Sequence, residues 1–113
     1  MSNNFTITPS ESTWVVRADG AELAQTDHAL ELREGDAPAV IYFPREDVAM
    51  AFLDPAPTFS SSRQKGRTRR YRLVGPDRKI EDAAWSFEDP KPALARLAGH
   101  VAFDVDRVTL ERY

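Results

Sequence analysis

Short β-type segments recur along this chain, each closed by turn residues before it can grow long, and that rhythm limits the folds open to it. Residues 13–17 alternate Trp14 and Val16 against Val15 and Arg17, then run into Ala18-Asp19-Gly20-Ala21, a hairpin-type turn. Residues 29–33 point Leu30 and Leu32 one way and stop at Glu34-Gly35-Asp36. Residues 39–43 form a β-branched and aromatic run of the kind a buried strand needs. Residues 68–74 put Tyr71 and Leu73 on one face and Arg70 and Arg72 on the other, and Gly75-Pro76-Asp77 turns them into a partner, 78–87, that holds Ile80, Trp85 and Phe87. Residues 101–103 and 108–110 close the series, and 58–66, with Ser60-Ser61-Ser62, reads as a polar, turn-rich stretch. Seven or eight short strands predict a mainly β fold; by themselves they allow a barrel, a sandwich or an open folded sheet.

Two short helices are expected between the strands. At Tyr42-Phe43-Pro44-Arg45-Glu46-Asp47-Val48 the β-type pattern breaks: Pro44 has the fixed φ favoured at a first helical position, and Glu46 and Asp47 carry negative charge where a helix dipole favours it. The spacing predicts a helix over 44–53, ended by Asp54-Pro55. A second is predicted over 91–98, with Leu94 and Leu97 on one face and Gly99 as its stop.

A chain of 113 residues suits one domain, 1–113, with a core of its own. Cysteine is absent, which removes disulfides, thiolate nucleophiles and cysteine-type zinc sites. The first residues show neither a basic n-region nor an apolar h-region, and no apolar run approaches the ~20 residues needed to span a bilayer. A cytoplasmic location without membrane contact is therefore expected.

The net charge of −3 hides an uneven distribution. Residues 1–62 carry ten acidic and three basic side chains; residues 63–79 carry eight basic (Arg63, Lys65, Arg67, Arg69, Arg70, Arg72, Arg78, Lys79) against Asp77 alone. Such a band suits an anion or an acidic partner, or a solvated hairpin paired to acidic neighbours. Only Tyr71 interrupts it, too little stacking surface for nucleic acid to be the expected partner.

Several of these residues together resemble a known bacterial family, domain of unknown function 427, sometimes labelled as nucleotidyltransferases. The carrying elements are Tyr42 through Val48, then Lys65-Gly66, Ala84-Trp85-Ser86-Phe87 with Asp89-Pro90, and Ala98-Gly99-His100-Val101-Ala102-Phe103 with Asp106-Arg107-Val108, so that the resemblance spans roughly residues 14 to 109. It implies a β-tent arrangement, two antiparallel sheets meeting at an angle. Some β-tent proteins hold zinc through two cysteine pairs, which this chain does not have, and no metal or cofactor is expected. Members commonly have cysteine, proline and an aromatic before the Lys-Gly pair; Ser62, Arg63 and Gln64 stand there. A serine hydroxyl without a nearby base is a much weaker nucleophile.

The candidate site residues are Tyr42, Arg45, Glu46, Asp47, Lys65, Trp85 and His100. Arg45 and Lys65 have the charge for an anion, Gly66 would permit close backbone approach, Trp85 offers an aromatic wall and His100, directly after Gly99, adds an imidazole. Each also has a structural reading: helix capping for the acidic pair, a turn for Lys65-Gly66, a core position for Trp85. Asp104-Val105-Asp106 has the form of a magnesium-holding pair but lacks the Gly-Ser helix start such sites use, and Asp106-Arg107 reads as a structural ion pair at a turn. Three functions remain open: binding a small or anionic ligand between the sheets; an enzyme on a nucleotide or other phosphorylated substrate, with Arg45 and Lys65 as clamps and Glu46 or Asp47 as base; or an interaction module using 63–72. Oligomeric state is not readable.

Overall fold

A computed structural model describes residues 4–75 and 78–113. Ten strands run through them: β1 (Phe5–Pro9), β2 (Trp14–Ala18), β3 (Ala21–Thr26), β4 (Leu30–Glu34), β5 (Val40–Pro44), β6 (Leu53–Ser62), β7 (Gly66–Val74), β8 (Lys79–Pro90), β9 (His100–Phe103) and β10 (Thr109–Arg112). They form two antiparallel sheets, one of seven strands ordered β1-β4-β5-β9-β8-β7-β6 and one of three ordered β10-β2-β3. The chain is mainly β, as expected. The turn predicted at Gly75-Pro76-Asp77 includes Pro76 and Asp77, which lie outside the described residues.

The large sheet has two unlike faces. Its inner face carries Phe43, Val101, Phe103, Tyr71 and Leu73, which pack with Val16, Leu23, Ala24 and Val108 of the small sheet and its flanks. Phe43 and Phe103 meet edge to face at 5.7 Å, a pairing worth about 0.5–1.5 kcal/mol beyond the area it buries. The outer face carries Leu32, Tyr42, Phe87 and Ala102, partly roofed by Leu94 and Leu97. Strand β5 is covered on both sides, which is why its sequence is apolar without a break. The β2–β3 hairpin turns through Asp19 (φ 52°) and Gly20 (φ 80°), two positive φ angles in succession, which is what an Asp-Gly turn provides.

Both predicted helices shrink to 3-10 turns. The first becomes two, Arg45–Asp47 and Met50–Phe52, with Val48 extended between them. Helix-start chemistry at Pro44 is overruled by pairing with β3: Ala49 donates its amide to the Leu23 carbonyl, and Val48 bridges Ala24. The second is a 3-10 helix over Pro92–Leu97. Its three-residue period stacks Leu94 and Leu97 on one side, and both are fully buried. Among the described residues no helix is long and apolar enough to cross a membrane.

Two strands arise where the sequence reading saw none, besides the N-terminal β1. Strand β3 is rich in Ala, Glu and Gln, poor strand formers that its pairing with β2 overrides. Strand β6 begins at Leu53, where a helix was expected to end, and takes in most of the stretch read as turns. As the sheet's edge it tolerates Pro55 and Pro57, and its ladder with β7 is irregular between Pro55 and Phe59.

Candidate functional site

A small cavity opens on the outer face of the large sheet, and strand register explains what lines it. Tyr42 on β5 lies opposite Ala102 on β9, Ala102 opposite Trp85 on β8, and Trp85 opposite Arg70 on β7. Ala102 is the only small side chain in that row. The Trp85 indole therefore reaches across it, and its Nε1–H donates to the Tyr42 hydroxyl at 3.0 Å. Tyr42 also stacks on Phe87, ring centroids 5.8 Å apart. The Arg70 guanidinium sits 5.7 Å from the Trp85 ring centroid. Lys65, from the β6–β7 turn, completes the rim, held 3.3 Å from Glu34 on β4. The space so enclosed is about 200 Å³.

Tyr42 and Arg70 hold the unused hydrogen-bonding capacity here. The Tyr42 hydroxyl accepts from Trp85, yet among the described residues nothing accepts its own proton. Burial pushes its pKa up to about 12, with Glu34 adding to the rise and the Trp85 N–H and Arg70 opposing it. At neutral pH it is thus a donor facing a cavity. Arg70 has no ion-pair partner among the described residues, whereas Lys65 is paired.

The structure brings together Tyr42, Lys65 and Trp85 of the seven candidates and places the other four elsewhere. Arg45 projects on the inner face. Its Nη2 lies 3.3 Å from the Tyr71 hydroxyl, 3.3 Å from Ser86 Oγ and 3.5 Å from Glu88 Oε2. Ser86, fully buried, donates its one proton to Glu88 at 2.7 Å, so Tyr71, 3.0 Å away, is the donor between the two hydroxyls. Asp47 accepts from the buried Thr26 hydroxyl at 2.7 Å, tying the corner to the small sheet. Glu46 is exposed. The His100 ring sits 3.1 Å from the Ala98 carbonyl at the far end of β9. The gathered residues lie on the outer face of the large sheet, so this cavity is not between the sheets, where a ligand was expected; the inner face packs its apolar side chains against the small sheet.

The basic band divides in the same manner. Arg72 bridges Asp54 and Glu81, and Arg78 pairs with Asp19. Arg67 and Arg69 stack on the exposed Phe59 ring, 4.2 and 3.8 Å from its centroid. Asp104 rather than Asp106 pairs with Arg107, at 3.4 Å, and its carboxylate also caps the turn through the Asp106 amide.

Against known proteins, a family model described as a domain of unknown function (DUF427) matches residues 6–112. The chain belongs to that family. No curated protein matches it. Two marks of the DUF427 resemblance now have a local account. Gly66 (φ 94°) lets β7 start hard against β8, where a Cβ would collide with the Asp89 carbonyl, so its close backbone approach is to the neighbouring strand. Ser62, where family members commonly carry cysteine, accepts the amides of Gln64 and Lys65 at 3.2 and 3.0 Å and shapes the turn that presents Lys65.

Arg70 and Glu34 are the charged cavity residues that the sequence did not mark as site candidates. Alternation in residues 68–74 does set Arg70 opposite Tyr71. Its place beside Trp85 depends on the β7–β8 register, which two irregularities offset.

Proposed function

We propose that this DUF427 chain binds a compact anion, a carboxylate or a phosphate monoester, in the outer-face cavity. The observation that carries this reading is the spare Tyr42 proton facing the same space as an unpaired guanidinium. With Arg70 and Lys65 against Glu34 the rim has a formal net charge of +1, which suits an anion. Arg70 would hold the anion by charge-assisted hydrogen bonds, Tyr42 would donate a further one, and Trp85 would fix both through its indole N–H and ring face. A volume of about 200 Å³ is below the ~300–1,000 Å³ of drug-sized sites, so the cavity fits a head group rather than a whole nucleotide. The family's label, NTP_transf_9, names a nucleotidyltransferase, and a nucleotide would bring only a phosphate into this space.

Titration with methyl phosphate, followed by amide and indole NMR shifts, tests the reading. The expected outcome is movement of the Trp85 indole N–H and the Arg70 and Thr68 amides, with affinity reduced at least about tenfold by Arg70→Ala. Shifts confined to Phe59, Arg67 and Arg69, or full affinity in Arg70→Ala, would sink it. A parallel titration with nucleotides, with and without magnesium, bears on the enzymatic alternative: tighter binding than methyl phosphate would favour it.

A further inference from the structure

Beside the anion cavity lies a second hollow of about 360 Å³ whose character is the opposite. It opens where β9 ends at Phe103 and the chain turns away, leaving the start of β5 paired to β4 on one side only. Ile41, Phe43, Phe103 and Leu110 form its walls, with Val105, 60% exposed, at the rim. Its one charged lining residue is Asp104, whose carboxylate is already engaged by Arg107 and the Asp106 amide. The two hollows share a wall made of Ala37, Pro38, Val40 and Trp85. The anion cavity is smaller than a drug-sized site, and the neighbouring groove is apolar, within the usual size of a ligand site, and reached past the same tryptophan.

We propose that the ligand of this protein is an amphiphilic anion, its charged head at Tyr42, Lys65 and Arg70 and its apolar tail laid past Trp85 into the groove of Ile41, Phe103 and Leu110. This rests on the anion reading above and adds the ligand class to it. Burying a hydrocarbon tail there removes apolar surface from water on both partners, and Trp85 is the hinge residue that touches head and tail alike.

A homologous series of monoalkyl phosphates, methyl to hexyl, tests it. Dissociation constants should fall with each methylene, by up to about fourfold per step. The hexyl chain should show NOEs to the Ile41 and Leu110 methyls. Ala39→Phe fills the groove alone, since Ala39 lines it and not the anion cavity; it should flatten the series and leave methyl phosphate affinity unchanged. Constant affinity along the series, with methyl phosphate still moving the Arg70 amide, would overturn the tail site and leave the anion site standing. A chain-length dependence with hexyl NOEs only to Phe59 or other residues outside the groove would overturn it as well. Absence of binding by every member would remove the head-group reading and the tail site together.

Discussion

The two faces of the large sheet each carry a tyrosine, an arginine and a hydrogen-bonded partner on β8, and they put them to different ends. On the inner face Arg45, Tyr71, Ser86 and Glu88 consume one another's hydrogen bonds: Ser86 donates to Glu88, Tyr71 donates to Ser86, and Arg45 reaches all three. On the outer face Tyr42 and Trp85 make one bond, and a hydroxyl proton and a guanidinium are left over. Residue types do not separate the two sets; hydrogen-bond accounting does. A closed network is a fastening, and its members lose by substitution what they contribute to stability. An open one has capacity for something that is not the protein.

If Tyr42 is held neutral by burial, stability should depend on alkaline pH. Its folded pKa is raised to about 12, against about 10 in the unfolded chain. The stabilisation is fully present below pH 10, because folded and unfolded forms are then both protonated. Between pH 10 and 12 the unfolded chain gives up the proton first, so stability falls as pH rises, by roughly 3 kcal/mol in all. Chemical denaturation at pH 9 and 12 measures this, with Tyr42→Phe as the comparison. The variant should lose that part of the alkaline slope. An identical slope in both proteins would place the titration elsewhere and remove the buried donor from the outer face.

The inner network should be sensitive at neutral pH instead. Ser86→Ala deletes the central hydroxyl while leaving Tyr71, Glu88 and Arg45 in place around it. We expect a loss of about 2 kcal/mol in thermal or urea unfolding, the cost of stranding buried polar groups. Methyl phosphate affinity should stay within about twofold, since Ser86 points away from the cavity. A harmless Ser86→Ala would mean that water replaces the hydroxyl and that the inner face is more open than its distances imply.

Both faces were only half legible in the sequence, and for a physical reason. Alternation is local, so the strands with buried faces, such as residues 39–43 and 68–74, could be read directly. Strands set by a partner rather than by their own residues could not: β3 holds Ala, Glu and Gln, and β6 holds two prolines and a serine run. The corner after Tyr42 carries true helix-start signals, yet the amide of Ala49 is taken by β3. At the site, Tyr42, Lys65 and Trp85 were recognisable by chemical type. That Arg45 falls on the other face, and that Arg70 takes the place near Trp85 expected of Arg45, depends on register across β5, β9, β8 and β7. Such pairings join residues far apart in sequence, and the bulges between Arg67 and Leu73 shift the count.

The smallest effect on stability should come from the residue with the largest effect on binding. Arg70 is exposed, lies 5.7 Å from the Trp85 ring centroid and has no acidic partner among the described residues, so Arg70→Ala removes one weak cation–π contact. That is worth about 0.5 kcal/mol at an exposed site. Arg45→Ala, by contrast, takes a guanidinium from three partners and should cost about 1–2 kcal/mol with no change in methyl phosphate affinity. Measured side by side, unfolding free energy and anion affinity should move in opposite order for the two arginines. Arg70→Ala as destabilising as Arg45→Ala, with affinity intact, would mean that the outer arginine is a fastening too, and the contrast between the faces would be lost.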